Sequence, residues 1–306
     1  MSLVSIITVN YNQPQATIDF LKSVKAHYST ANLEVILIDN GSDENHHETF
    51  LKHYPEIVFI RSEKNLGFAG GNNLGLQVAK GDYLFLLNND TEIIPGCIET
   101  MISEMEQNPQ IGLLSPLILY HEDKSLIQYA GFTPLNYLTA RNDCIGQFET
   151  NNGQYQTTSN ETGFCHGAAV MCRKIDLQKA GKMDENYFLY YEELDWCEKF
   201  KRLGKKIWFT GKTHIYHKES VSVGKESALK TFFSVRNRML FIRKNTSSLN
   251  TFAFSIYYCS IACPRMMLQY LLKGRKDLIK WVLKGVLWNF SNSIDSKNLG
   301  FKIKNS

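Results

Sequence analysis

Four short runs of apolar and β-branched residues, at 3–9, 34–38, 57–60 and 83–87, stop close to an Asn, Asp or Gly, and helical stretches separate them. Runs of this length without polar alternation suit strands buried on both faces, which predicts a parallel α/β sheet. Between the first two runs a helix is expected over 14–26: Ile18, Leu21 and Val24 or Lys25 fall at helical spacing, and Pro14 suits a first turn. Another begins near 96, after Pro95, with Cys97, Ile98, Met101, Ile102 and Met105 on one stripe. The polar stretch 120–163 reads as a long connection that either carries a substrate-facing loop or is a plain insertion. A strand is expected at 167–172, and a helix at 194–203 closed by Gly204, a residue suited to the left-handed cap. From about 227 onward the chain turns to amphipathic helical segments rich in Lys and Arg, so a soft boundary falls near 225.

Composition removes several classes. With 306 residues, 43% hydrophobic and 21% charged, the chain is neither disordered nor fibrous. Its net charge of +4 is too small an excess to argue for nucleic acid. Seven cysteines, odd in number and without a CxxC pair, indicate neither a zinc ribbon nor a disulfide framework, and fit a reducing cytosol. The start of the sequence lacks the basic and apolar regions of a signal peptide. The longest apolar stretch, 252–263, ends at Pro264-Arg265 and is too short to span a bilayer.

In an open α/β sheet, ligands bind beyond the carboxyl ends of the strands. Here those ends read Thr8-Val9-Asn10-Tyr11-Asn12, Ile38-Asp39-Asn40-Gly41-Ser42 and Leu87-Asn88-Asn89-Asp90-Thr91. Asn, Asp and Gly also simply terminate strands and make turns, yet three ends together deliver an amide or carboxylate to one edge. No GxGxxG follows the first strand, which disfavours a nicotinamide or flavin site. Gly211-Lys212-Thr213 resembles the tail of a phosphate loop, but Lys206 stands where the earlier glycine is required. The segment from Asn65 through Gly67, Gly70, Gly71 and Asn72 to Asn73 is a glycine-rich loop opening a helix at 74–79. Its free N–H groups could face phosphate or ribose, or it is a tight turn before an ordinary helix.

Taken in order, these segments resemble family 2 glycosyltransferases, most strongly the rhamnosyltransferase-like bacterial branch, which has the GT-A fold. The likeness continues through Gly167-Ala168-Ala169-Val170-Met171 and Phe188-Leu189-Tyr190-Tyr191-Glu192-Glu193-Leu194-Asp195-Trp196-Cys197, and ends with His217 and Arg236-Asn237-Arg238. It implies a catalytic domain over 1–225, with a nucleotide-binding half to about 115 and an acceptor half from 116, and a helical extension over 226–306. It also implies that Thr8, Asn10 and Asp39 hold the base and ribose, with Asn12, Asn65, Gly71, Asn72, Asn88 and Asn89 completing the nucleotide-sugar site. The family's DxD element appears as Asn88-Asn89-Asp90, without its first carboxylate. Asp90 matches the position that binds a divalent ion, Mn²⁺ or Mg²⁺, on the diphosphate, and His217 matches a histidine near that ion. His214 competes for that role, and Arg236 or Arg238 are alternative holders of the diphosphate. The catalytic base is expected from Glu192, Glu193 and Asp195, with Glu193 preferred although Asp is commoner there. Acidic residues also favour a first helical turn through the helix dipole, and the two readings are compatible.

The activity implied is inverting transfer of a sugar from a nucleotide diphosphate sugar to a hydroxyl of a saccharide or lipid-linked acceptor, in bacterial cell-surface polysaccharide synthesis. The rivals are a non-catalytic sugar-nucleotide-binding module, favoured by the missing carboxylate, and a sugar-phosphate nucleotidyltransferase, which would carry a basic glycine-rich loop after strand one. Between 268 and 290, apolar residues fall at helical spacing, with Lys273, Lys276, Lys280 and Lys284 on another face and Trp281 and Trp288 nearby. That pattern is expected either to lie on an anionic membrane surface or to pack on the protein's own core. With the lipid-linked acceptor, it places the enzyme in the cytoplasm, peripheral on the inner face of the membrane.

Overall fold

The computed structural model describes residues 2–28, 32–218 and 226–303. Its first part runs β1 (Val4–Asn10), α1 (Pro14–His27), β2 (Leu33–Asn40), α2 (His47–His53), β3 (Val58–Ser62), α3 (Gly67–Val78) and β4 (Tyr83–Leu87). The four strands pair in the order β3-β2-β1-β4, all parallel, so all four carboxyl ends open on one edge. The chain continues through β5 (Thr91–Ile93), α4 (Cys97–Gln107), β6 (Ile111–Tyr120), β7 (Ile127–Tyr129), β8 (Ser159–Glu161), β9 (Ala169–Arg173), α5 (Lys174–Ala180), α6 (Glu192–Arg202) and β10 (Lys206–His217). Together they form one ten-stranded sheet. On one face it packs side chains of α1, α2 and α4, such as Leu21, Phe50 and Met101. On the other it packs α3, α5 and α6 through Leu76, Leu177, Trp196 and Phe200.

A mostly parallel sheet was expected, and the sheet is mixed. Parallel pairing holds among β1–β4 and between β6 and β10, but β9 lies antiparallel between β4 and β6, and β5, β7 and β8 are antiparallel as well. A parallel partner needs a crossover connection back to the starting end. The chain instead runs through 121–168, where β8 pairs with the first half of β10, and enters β9 at the carboxyl end of β4, with Ala169 opposite Leu87.

The helices after 226 are α7 (Ala228–Asn245), α8 (Ser248–Tyr257), α9 (Cys263–Leu272) and α10 (Lys276–Ser291), with a π-helical turn, Tyr258–Ala262, between α8 and α9. They build a third core that also takes in Tyr187 and Phe188. The boundary expected near 225 lies outside the described residues.

The helical stripe read across 268–290 is two helices, broken at Gly274 in a left-handed conformation (φ 72°). Its apolar residues also divide between two faces. Leu278, Val282 and Trp288 of α10 are buried, while Leu283, Leu287 and Phe290 face outward. Trp288 is buried, its Nε1 donating to the Asn298 carbonyl, and Trp281 is half-buried, packed on Phe232 and Phe301. No helix among the described residues is long and apolar enough to cross a membrane.

Candidate active site

Side chains at the ends of β1 and β2 form a buried polar floor. Asn10 Nδ2 donates to Asp39 Oδ1 and Ser42 Oγ, both at 3.1 Å, while Asn10 Oδ1 accepts from Thr17 Oγ1 at 3.0 Å. Asn89 Nδ2 donates to the same threonine at 2.9 Å, which ties the end of β4 to α1. Asn12 is exposed and locks the two loops together, with its N–H on Ser42 Oγ and its Oδ1 accepting from Asp43 N. Two atoms of this floor make no hydrogen bond: Thr8 Oγ1 and Asp39 Oδ2, although Arg61 Nη1 lies 3.4 Å from the latter.

The glycine-rich segment differs from its expected role. Helix α3 begins at Gly67 rather than near 74, and its first amides are already satisfied. Leu66 N donates to Asn40 Oδ1, Gly67 N to Asn65 Oδ1, and Phe68 N to the Phe188 carbonyl at 2.7 Å. Asn65 is therefore a cap for the helix start. Asn72 Nδ2 bonds the Phe68 carbonyl, and Gly71 is glycine because a Cβ there would stand 2.9 Å from Val9 Cγ1. The glycines let α3 lie close on the sheet, and the first amides of the helix are spent on the fold itself.

Asp90 follows β4, and His217 ends β10, whose antiparallel pairing with β5 sets His217 opposite Thr91. His217 Nε2 lies 3.1 Å from Asp90 Oδ1 and 3.5 Å from Asn88 Nδ2, and both Asp90 and His217 are buried. The other ring nitrogen, Nδ1, is 2.8 Å from Gln128 Oε1 on β7. Since that oxygen is an acceptor, it takes the Nδ1 proton and leaves the Nε2 lone pair facing the carboxylate. A proton or a metal cation relieves that contact, and Asp90 Oδ1 has no hydrogen-bond partner to occupy it. The pair therefore fits a divalent ion as two protein ligands, with oxygens of a diphosphate and water supplying the rest. No group of three or more His, Cys, Asp and Glu side chains among the described residues is arranged to hold a metal alone. His214, by contrast, sets Nε2 3.2 Å from the Tyr216 hydroxyl and has no contact with Asp90.

The acidic cluster opens α6 after a contorted turn. Phe188, Tyr190 and Tyr191 have φ of 63°, 71° and 75°, a left-handed region costly for residues with a Cβ. Asn237 on α7 holds this turn: its Nδ2 lies 2.9, 2.8 and 2.8 Å from the carbonyls of Tyr187, Leu189 and Tyr190. Its neighbours face elsewhere. Arg236 reaches the carbonyls of Leu299 and Asn186 and stacks on Trp288, and Arg238 reaches the Thr139 carbonyl and lies over Tyr258. Both guanidinium groups thus brace the helical core.

Helical spacing separates the three acids. Asp195, two residues from Glu193, points to the opposite side of α6, where Oδ1 accepts from the Tyr187 hydroxyl (3.1 Å) and Asn245 Nδ2 (2.9 Å). It is a structural brace between α6 and α7. Glu193 lies over Gly167, where a Cβ would come within 3.3 Å of its Oε1. Asn88 N donates to the adjoining Ala168 carbonyl at 3.0 Å, so this edge abuts the Asn88-Asn89-Asp90 turn. Glu192 Oε2 and Glu193 Oε2 both lack a hydrogen-bond partner, and neither residue has an ion pair among the described residues. Burial pushes both carboxyls up, and Glu192, which also feels the Glu193 charge, goes well above the ordinary carboxylate range.

Two residues at this site were not expected. Gln128 sits on a three-residue strand inside the polar connection, and His166 packs its ring on His217 (centroids 5.9 Å apart) with burial pulling it down to about 3. Neither carries a periodic or motif signal in the sequence.

Residues 5–179 match glycosyl transferase family 2, and the chain belongs to that family. The matched span includes the β1, β2 and β4 ends and stops short of Glu192, Glu193 and His217. The N-acetylglucosaminyl-diphospho-decaprenol L-rhamnosyltransferase of Mycobacterium tuberculosis is 24% identical over 218 residues, covering 64% of this chain and 70% of that protein. The low-salt glycan biosynthesis hexosyltransferase Agl10 of Haloferax volcanii is 26% identical over 243 residues, covering 77% and 74%. Among solved structures, GalNAc-T7 with UDP, GalNAc and Mn²⁺ superposes with a TM-score of 0.67 at 16% identity, over 95% of this chain and 57% of that one. The shared fold is the GT-A glycosyltransferase fold, and the chain is a family 2 glycosyltransferase.

Proposed function

We propose that this enzyme transfers a sugar, with inversion, from a nucleoside diphosphate sugar to a hydroxyl of a saccharide or lipid-linked acceptor in cell-surface glycan synthesis. The observation that carries the reading is where unsatisfied polar atoms gather. Thr8 Oγ1, Glu192 Oε2 and Glu193 Oε2 are buried and lack hydrogen bonds, and Asp39 Oδ2 and Asp90 Oδ1 have only Arg61 Nη1 (3.4 Å) and His217 Nε2 (3.1 Å) beside them; all five belong to the strand ends and the start of α6. A buried polar atom without a partner is costly, so such atoms in one region mark where a ligand supplies the missing bonds. Thr8 and Asp39, beside Asn10, would meet the base and ribose hydroxyls. Asn88, Asn89 and Asp90 follow toward the diphosphate.

Asp90 and His217 would hold Mn²⁺ or Mg²⁺, a cation that offsets the negative charge of the departing diphosphate. The fold neighbour solved with UDP and Mn²⁺ supports a divalent cation, without bearing on which residues hold it. Glu193 is the base. Its carboxylate, freed of its proton, accepts the acceptor hydroxyl's proton as that oxygen attacks the anomeric carbon opposite the leaving group. Glu192, more deeply buried, holds its proton more strongly than Glu193, which favours Glu193 as the ionised member. The rhamnosyltransferase relative, named for a diphospho-decaprenol acceptor, supports the lipid-linked class, which would bring the enzyme to the inner face of a membrane.

Incubation with a panel of nucleotide sugars and Mn²⁺ tests the reading. Acceptor-dependent release of nucleoside diphosphate is expected. Protection of a nucleotide sugar against unfolding, without release from any donor–acceptor pair, would refute it in favour of a binding module.

A further inference from the structure

Helix α8 is amphipathic the wrong way round for a soluble surface. Its inward side rests on Phe254, which is fully buried, while Leu249, Phe252 and Ile256 are 76%, 65% and 53% exposed. Those three fall at i, i+3 and i+7, one outward stripe with Ala253 among them. A second outward stripe, Leu283, Leu287 and Phe290, runs along α10 at i, i+4 and i+7. The stripes meet at a groove of about 620 Å³ lined by Phe252, Ile256, Cys259, Phe290 and Ile294, with Arg243 among its walls. Of the 17 large hydrophobic side chains exposed among the described residues, ten lie between 249 and 290. So dense an exposed apolar surface marks an interaction face rather than ordinary exposure.

Charge identifies what the face meets. Residues 226–306 hold 14 Lys and Arg against three Asp and Glu, a net +11 that includes the buried Arg236 and Arg238, whereas residues 1–225 hold 20 against 27, a net −7. The modest whole-chain charge of +4 conceals this split. Lys276, Lys280 and Lys284 are exposed along α10, beside its outward apolar stripe. Apolar side chains flanked by lysines on an in-plane helix suit the boundary between acyl chains and anionic headgroups, where a lysine stem lies along apolar surface and its ammonium meets phosphate.

We infer that the outward faces of α8 and α10 form a docking surface for an anionic lipid bilayer. The stripe over 268–290, for which a membrane surface and the protein's own core were both expected, serves both: its outward residues supply half of this face. The other half is the apolar stretch beginning at 252, too short to span a membrane and here laid flat. The inference rests on the proposed lipid-linked acceptor only for its purpose: nucleoside diphosphate release in solution tests the chemistry, and vesicle binding tests the surface, so each can fail alone.

The test is co-sedimentation of the full chain with phosphatidylcholine vesicles, with and without phosphatidylglycerol. Binding is expected only with the anionic lipid, and is expected to fall sharply at 1 M salt, where charges are screened within about 3 Å. Lys276→Gln, Lys280→Gln and Lys284→Gln together should weaken it about 100-fold, roughly fivefold per lysine near the surface. Phe252→Asp with Ile256→Asp should weaken it at least about tenfold, and both sets of exposed changes should leave diphosphate release unaltered. Equal binding to neutral and anionic vesicles would overturn the inference. So would a Phe252→Asp/Ile256→Asp protein that binds vesicles normally but loses a dimer seen by sedimentation, which would assign the face to a second copy of the chain.

Discussion

Glu193→Gln and Glu192→Gln, made separately, split the acidic pair by role. Both carboxyls are buried without ion pairs, so both hold their protons above the ordinary carboxylate range, and Glu192 the more strongly. A base must be ionised, and the proposed base is Glu193, whose carboxyl is raised less than that of Glu192 and lies over Gly167 at the sheet edge. Glu193→Gln keeps shape and hydrogen bonding and removes only basicity. General base catalysis contributes roughly 10²–10⁴-fold, so turnover should fall by that factor, about 3–5 kcal/mol of barrier, with donor affinity preserved. Glutamine mimics a protonated carboxyl, so Glu192→Gln should keep near-normal turnover at neutral pH. Its signature is in stability. A carboxyl whose folded pKa exceeds its unfolded value leaves the native state with more bound protons, and stability is lost as pH rises from about 4.5 through the folded pKa. Glu192→Gln removes that loss, so its gain in Tm over wild type should be absent near pH 4 and grow above it. Initial rates of nucleoside diphosphate release from pH 4 to 9, with thermal melts over the same range, supply both readouts. The wild-type acid limb should lie above the usual carboxylate range. A Glu193→Gln enzyme within threefold of wild type beside an inactive Glu192→Gln would reverse the assignment.

Asp90→Ala should abolish the Mn²⁺ dependence of nucleoside diphosphate binding, measured calorimetrically, and His217→Ala should weaken it less; full activity in excess EDTA would refute the ion site. Gln128→Leu removes the acceptor that orients His217 and should weaken Mn²⁺-dependent binding about 10–100-fold, the usual cost of losing a group that holds a metal-ligating histidine in place, with little change in Tm. Asn237→Ala frees the left-handed turn before α6 and should lower both kcat and stability, the latter by about 2–3 kcal/mol as buried carbonyls lose their donor. Gly67→Ala would set a Cβ 2.1 Å from the Phe188 carbonyl oxygen at a left-handed φ of 74°. A loss of about 2–4 kcal/mol is expected from strain and overpacking, and a melt within 0.5 kcal/mol of wild type would contradict the packing described.

Much of the frame was legible because its signals are local. The runs at 3–9 and 83–87 fall on β1 and β4, and the stripe from Cys97 to Met105 falls on α4. Asp90 and His217, 127 residues apart, were joined only through family resemblance, and the sheet brings them to 3.1 Å. What failed to read depends on partners distant in sequence. Asn65 to Asn73 has the composition of a phosphate loop, but Asn40 and Phe188 consume its amides. Asp195 shares its motif with Glu193, and only the turn of α6 sends it to Tyr187. Periodicity across 268–290 summed an inward and an outward face, because apolar side chains suit both a core and a lipid surface.

The antiparallel strand β9 also sets a schedule for folding. It is the piece that joins the parallel half of the sheet, β3-β2-β1-β4, to β6 and β10. Until it arrives, β4 has a partner on only one side, and its other row of backbone donors and acceptors is open. About 80 residues separate the end of β4 from the start of β9, which at 5–20 residues per second is roughly 4–16 s of translation. For that interval the nascent chain carries a bare, wholly apolar strand edge (Tyr83–Leu87), the feature that most readily recruits another chain. The yield of this enzyme should therefore respond to translation speed across 88–168 and to the supply of chaperones.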